Sequence, residues 1–366
     1  MCLKLAPVHC LGYFGTSMGR LPDTRARPLP LTARPGARYR CFGDGLCCTD
    51  IHGLGPLSKP ETKQLSLISA GVVAAPGEGG FDEPMLRTRG DGCCLFLSDE
   101  SCLLHKSVGD SAKPSGCRRF PLGLTATPAG GRITTRHLCP CRTMGDRPAL
   151  DERAARAALL DARGQLETDT EVDGPVRIGR RRRVDFNAYE TVEARLLKRL
   201  EHDEDPADIL SGRTLPSLTR GSHRGEAVDM LSDGFDGTRF GYALAWFAES
   251  VLALAVGRRP KVHERPWADA FDRAEQRSPE VRPPRAMLAD WVADEIWSLD
   301  WAIRPRASLT RARDDLCSRL AIADHIQHRL VCRGLRADRA TAEALCVVDA
   351  VGASDWWTEV VERFSG

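Results

Sequence analysis

Lysine is scarce in this chain: seven of its 52 basic residues, against 45 arginines. With abundant alanine and glycine, that is the bias a GC-rich genome encodes, so the short run Arg180 to Arg183 reads as solvated surface. Excess charge of either sign is lacking, since 52 basic and 50 acidic residues leave a net +2. A near-neutral chain gives no electrostatic case for anionic lipid, and a nucleic-acid partner ranks last. Long apolar runs are missing. The longest, Tyr242 to Val256, has 15 residues and contains Glu249, short of the ~20 that span a bilayer. It reads as a buried core helix, and no membrane span is expected. The N-terminus has no uninterrupted apolar stretch, because Pro7, His9, Gly12 and Gly15 break it. That argues against a signal peptide and for a cytoplasmic protein. Met18 offers a second start, on which residues 1–17, with Cys2 and Cys10, are not native. Familiar catalytic signatures are absent as well. There is no G-x-S-x-G elbow or Ser/His/Asp triad, and Gly77-Glu78-Gly79-Gly80 lacks the Lys-Ser/Thr of a phosphate loop. No glycine-rich turn of the kind that binds S-adenosylmethionine is visible.

What is present in excess is cysteine. The chain has 14, and nine of them fall between Cys41 and Cys141. In a cytoplasmic protein such clusters bind metal more often than they form disulfides. Nine is an odd number, and the Cys47-Cys48 and Cys93-Cys94 dipeptides suit disulfide pairing poorly. The order is Cys41-x5-Cys47-Cys48, then Cys93-Cys94-x7-Cys102-x14-Cys117, then Cys139-x-Cys141. Thiolate is a soft ligand that suits zinc, Cu(I) or an iron–sulfur cluster. His52, His105 and His137 lie among the cysteines as possible nitrogen donors. The spacing matches neither a zinc finger nor a ferredoxin run. Arg118 follows Cys117 directly, where a cation would stabilise a thiolate or an anionic cofactor.

Ordinary globular composition, 42% hydrophobic and 28% charged, and a length of 366 residues predict two or three domains. Residues 1–38 read as an extended leader, with four prolines between 19 and 38. Residues 39–145 form a loop-rich cysteine domain. Within it, Ser58-Lys59-Pro60-Glu61 opens a capped short helix, and 121–137 reads as a hairpin turning at Pro128 to Gly131. Residues 146–366 read as a helical domain, making the whole α+β. An Ala-rich helix opens at Arg147-Pro148 and runs to Leu166. Phe186, Tyr189, Val192, Leu196 and Leu200 mark one apolar helix face. The 203–240 connection is long for a compact fold and reads as a lid or linker. Further helices carry Leu288 to Ile303, Leu316 to Leu330, and Asp338 to Phe364. Cys317, Cys332 and Cys346 fall in these helices as core residues. His325 and His328, three apart on one of them, make a weak metal pair.

The cysteine segments resemble the YkgJ-type cysteine-cluster family, the zinc- or iron-chelating C-x2-C-x2-C-C domain, to which the cysteine domain of flagellin lysine-N-methylases is related. The resemblance covers Tyr39 to Arg142. It rests on Cys41-Phe42-Gly43-Asp44-Gly45-Leu46-Cys47-Cys48, Cys94-Leu95-Phe96-Leu97, Cys102-Leu103-Leu104-His105, Lys113-Pro114-Ser115-Gly116-Cys117-Arg118-Arg119-Phe120-Pro121 and His137-Leu138-Cys139-Pro140-Cys141. It implies metal ligation by Cys41, Cys47, Cys48, Cys94, Cys102, Cys117, Cys139 and Cys141. Asp44 stands where the family has its second cysteine, and either Asp44 or Cys93 is expected to complete the site. The geometry of an extended Cys93-Cys94 pair, whose side chains point to opposite sides, favours Asp44. The function implied is an iron–sulfur-dependent enzyme acting on a protein or peptide by methyl transfer or redox chemistry, with S-adenosylmethionine as a cosubstrate by resemblance alone. The alternative is a non-catalytic zinc or iron protein in which metal only holds the core together.

Overall fold

The computed structural model of the chain describes residues 30–364, apart from 44, 79–81, 99–100, 162, 203, 215–222, 258 and 305. Alternation of Leu122, Leu124 and Ala126 gives one apolar strand face, and the hairpin forms there. Leu122–Thr127 pairs antiparallel with Gly130–Thr135, in register from Leu122 opposite Thr135 to Thr127 opposite Gly130. The turn is tighter than expected, with only Pro128 and Ala129 unpaired. Two short strands flank the hairpin, each parallel to its neighbour: Leu31–Ala33 beside Gly130–Thr135, and Thr170–Glu171 beside Leu122–Thr127. Gly130 is required where the edge strand enters. Its φ is +134°, and a Cβ would stand 2.7 Å from the Pro30 carbonyl oxygen,. One side of this sheet buries Leu122, Leu124 and Ile133 against Ala37, Leu150, Ala155 and Leu159. The sheet also ties to the helix Pro284–Ser298. Thr125 Oγ1 donates to the Ser298 carbonyl, and Trp297 Nε1 to that of Ile133.

The fold is α+β, and its largest core is helical. At the centre lies the helix Ala337–Gly352, buried from Asp338 onward. Its small residues, Ala340, Ala342, Ala344, Ala350 and Gly352, let neighbours approach closely. Against it pack Arg239–Val256, Ala268–Arg277, Pro284–Ser298 and Leu309–Val331. Its buried charges are matched: Glu343 accepts from Arg265, Arg339 and Trp267 Nε1. Arg239–Val256 is long and apolar enough to cross a membrane by length and composition alone. Here it buries Leu244, Trp246, Phe247 and Val251 inside this core.

Several elements differ from their sequence reading. Among its described residues, the stretch expected to be a lid or linker contains two helices, Pro206–Leu210 and His223–Asp233. Ile209, Leu210, Ala227 and Leu231 are fully buried. Asp205 caps the first of these helices through Ala207 N–H, a local signal lost among the surrounding polar residues. The helix expected from Pro148 is only Glu152–Ala158, because Asp151 caps it instead. Pro284–Ser298 stops before Leu299, which turns to φ +59°, and Ile303 lies exposed. In Phe186–Leu200 the position facing the core with Tyr189 is Glu193, paired with Arg132 at 2.7 Å, while Val192 is only half-buried. Part of the expected leader is built into the sheet: Leu31–Ala33 is a strand, and Arg34 beside it is buried.

Arg34 belongs to a buried ionic network that joins the sheet to the helical core. It pairs with Asp290 and Asp294, four residues apart on Pro284–Ser298. Arg142 reaches the same two carboxylates at 2.7 and 2.6 Å. Thr135 Oγ1 donates to Asp294, and His137 Nε2 lies 3.0 Å from it. Burial pushes both carboxyls up, but Arg142 and Arg34 more than reverse this and hold both below the usual range. Such carboxylates stabilise the fold at neutral pH, and that contribution is lost as pH falls through their depressed values. Replacing Asp294 with Asn therefore costs about 3–5 kcal/mol at pH 7 by leaving buried guanidinium groups short of a partner. Urea unfolding at a series of pH values is expected to show this gap closing well below pH ~4. A gap unchanged into strong acid would mean that the charge of Asp294 is not what stabilises.

Candidate metal centre

The first cysteine loop is shaped by a left-handed glycine. Gly45, at φ +80°, starts the single turn Leu46–Cys48. Leu46 and Ile51, on either side of the cysteine pair, are buried in the helical core with Leu138 and Met144. Thr49 Oγ1 closes the turn onto the Leu46 carbonyl at 2.7 Å. The loop then pairs with the second cysteine dipeptide. Thr49 bridges to Cys93, and Cys94 N–H donates to the Cys48 carbonyl at 2.8 Å. His52 lies with its ring nitrogens 2.8 and 3.1 Å from the Gly53 and Cys47 carbonyls, and its ring stacks on Phe120 at 4.6 Å. Burial lowers the pKa of His52. Its ring holds the turn by donating to one of these carbonyls.

Four thiols from three segments meet in a small apolar cluster. Cys48, Cys94, Cys102 and Cys117 pack with Leu54, Leu57, Leu65, Phe96 and Leu104. Cys102 is brought round by its pairing with Leu97, whose N–H donates to Cys94 O. Cys117 is positioned through the capped helix that the sequence predicts. Ser58 and Glu61 form a full capping box on Lys59–Ile68. The second carboxylate oxygen of Glu61 accepts Ser115 N–H at 2.6 Å, at the start of the turn Ser115–Arg119. Burial pushes the Cys94 thiol up to about 12, and Cys48 and Cys102 add to it. The Cys117 thiol is raised well above its usual value, by burial first and then by Cys48, Cys94 and Cys102.

Four further thiols lie in the neighbourhood of Tyr39. Its hydroxyl pKa is raised by burial and then by the neighbouring thiols of Cys139, Cys41, Cys141 and Cys47. Cys139 and Cys141 are buried on the turn Pro140–Thr143, which Cys139 caps. Phe42 N–H lies 3.2 Å from the Cys141 sulfur and ties the first loop to this turn. Arg147 is buried beside it, with its guanidinium 4.0 Å from the Phe42 ring centre and Nε donating to the Cys141 carbonyl. The two sets touch through one dipeptide, the sulfurs of Cys47 and Cys48 being 4.0 Å apart.

Two described candidates, Cys93 and Arg118, belong to neither set. Cys93 points away from Cys94, as alternation along an extended segment requires. Its sulfur is 3.6 Å from Arg239 Nη2. It lines a cleft of about 690 Å³ with Leu46, Thr49, Arg89, Arg239 and Arg273. Asp44, Cys2 and Cys10 lie outside the described residues. Arg118 donates to the Lys113 and Leu160 carbonyls, so it ties two loops. Cys317 and Cys346 are buried in helices of the core, and Cys332 is exposed near His328. Among the described residues, the one group of three potential ligand atoms all within 4.8 Å is that of His137, Asp290 and Asp294. Arg34, Arg142 and Arg282 already meet those carboxylates. Three guanidinium groups leave no charge there for a divalent ion to balance. Arg147, Asp290 and Asp294 were not expected at the site. The one available signal for the aspartates was an acidic pair at helical i, i+4 spacing.

No family model, curated protein or solved structure matches this chain. The resemblance to the cysteine-cluster family therefore rests on the motifs quoted above.

Thiol accessibility tests the assignment of every cysteine. With metal removed, an alkylating reagent is expected to label exposed Cys41 and Cys332 quickly, and fully buried Cys346 only as the chain opens,. Peptide mass spectrometry reads this. Equal rates at Cys346 and Cys332 would contradict the packing described.

Proposed function

We propose that this chain is an iron–sulfur protein whose centre is held by thiolates of the cysteine region, and that it modifies a protein or peptide. The observation that carries the reading is the gathering of Cys48, Cys94, Cys102 and Cys117 from three segments into one apolar cluster. Spacing favours a multi-iron cluster over a single zinc ion. Four thiolates about 2.3 Å from one tetrahedral zinc stand roughly 3.8 Å from one another. No three cysteine sulfurs among the described residues all lie within 4.8 Å. In a four-iron cluster each thiolate takes a different iron, which needs a wider set. Such a group supplies electron transfer or substrate activation when bound. This chain's residues supply the ligands, the apolar surround and buried cations such as Arg147 that balance thiolate charge.

A catalytic use is favoured over a structural one by the cleft beside Cys93. Its volume is that of a small-molecule site, and it borders Leu46 and Thr49, the neighbours of the Cys47-Cys48 pair. Methyl transfer with S-adenosylmethionine rests on the family resemblance alone.

Anaerobic purification followed by iron, zinc and sulfide analysis tests the proposal. A brown protein with broad visible absorbance and comparable iron and sulfide is expected. Removing the metal is expected to lower the unfolding midpoint, since ligation stabilises the folded state. A colourless protein holding zinc without sulfide would overturn the iron–sulfur reading in favour of a structural zinc protein.

A further inference from the structure

We infer that the nine clustered cysteines build two separate four-thiol centres, Cys48 with Cys94, Cys102 and Cys117, and Cys41 with Cys47, Cys139 and Cys141, and that Cys93 is a ligand of neither. The inference rests on the proposed iron–sulfur function and specifies its stoichiometry and ligands.

Three observations carry it. First, the two sets occupy different surroundings. One lies in the small cluster with Leu54, Leu65 and Leu104. The other is built on the turn Pro140–Thr143 and the Tyr39–Phe42 segment, docked through Leu46, Leu138 and Met144 on the helical core. Second, the division accounts for the odd number. Alternation turns Cys94 into its cluster and Cys93 into the cleft with Arg239. The other eight then divide into two sets of four, the ligand number of a cubane or a two-iron cluster. Asp44 is not needed to complete either set. Third, the Cys47-Cys48 dipeptide gives one thiol to each set, with the sulfurs 4.0 Å apart. Two clusters joined at adjacent residues are close enough for direct electron exchange and for coupling of their unpaired spins.

The test uses the full chain, loaded anaerobically with ferric iron, sulfide and a thiol reductant that supplies the electrons for the ferrous share of each cluster. Iron and sulfide per chain and the electron paramagnetic resonance spectrum of the reduced protein are measured for wild type, Cys117→Ser, Cys139→Ser and Cys93→Ser. Circular dichroism checks the fold of each. Wild type is expected to give a broadened spectrum of two interacting clusters. Cys117→Ser and Cys139→Ser are each expected to retain about half the iron and to give a simple, uncoupled signal. Cys93→Ser is expected to match wild type. Complete loss of iron in a folded Cys117→Ser or Cys139→Ser variant means a single shared centre and overturns the proposal. So does loss of half or more in Cys93→Ser. If either serine variant fails to fold, the wild-type spectrum decides: coupled signals support two centres and an uncoupled one refutes them. Failure of wild type to take up any iron and sulfide would instead overturn the iron–sulfur reading itself.

Discussion

Arg142 has no solvent exposure, and it is tolerable there because Asp290 and Asp294 meet it from one face of a single helix. An unpaired buried guanidinium is strongly destabilising, so its position is fixed by where those carboxylates stand. Arg142 follows Cys141 directly. Placing it therefore places the turn that carries Cys139 and Cys141. The same two aspartates hold Arg34 beside the edge strand, while Asp294 also binds Thr135 and His137 at the end of the hairpin. Leu138 N–H adds a bond to Asp349 of the central helix at 2.7 Å. The second set of thiols is thus positioned by the helical core. Leu46 and Ile51 extend the same dependence to the first cysteine loop. Packing runs across residue 145, where composition suggests a boundary.

What was legible in the sequence was local. A serine and a glutamate three apart announce the Lys59–Ile68 helix, and the structure holds the full capping box. Alternation around Pro128 gives the hairpin, and the three- and four-residue steps from Phe186 give Phe186–Leu200. What was not legible depends on partners far along the chain. Glu193 sits on a helix whose apolar face reads without it, and it is buried only because Arg132 and Tyr189 satisfy it. Arg339, Glu343 and Asp349 make the central helix look half-solvated, yet their partners come from residues up to 211 positions away. Among the described residues of 203–240, two helices escape a sequence reading because each fully buries only two or three side chains.

The cysteine pattern shows the same division. Softness, number and crowding point to metal from composition alone. The grouping of thiols depends on strand pairing and on which way adjacent side chains face, and neither can be counted off a spacing. Cys102 joins Cys94 because Leu97 pairs with it. Cys141 joins Cys41 through Phe42, which lies 99 residues away from it. Glu61 connects local to distant, closing its own helix and then receiving the start of the turn that carries Cys117.

Arginine bias reads correctly at the surface and misleads inside. Arg180 to Arg183 are exposed, as a solvated run should be. Single arginines are what organise the interior, and the guanidinium is suited to this where an ammonium is not. Arg142 makes two near-parallel bonds to Asp290, a third to Asp294 and a fourth from Nε to Thr135 Oγ1. A lysine has three donors on one atom and cannot span two carboxylates and a hydroxyl in that plane. Arg147 adds a second property, lying over the Phe42 ring while its Nε holds the Cys141 carbonyl. Delocalised charge is less strongly hydrated than an ammonium, so burying it beside thiols demands less desolvation. A thiolate-rich centre concentrates negative charge in an apolar setting, and stacked or forked guanidinium groups are a form of positive charge that such a setting can hold.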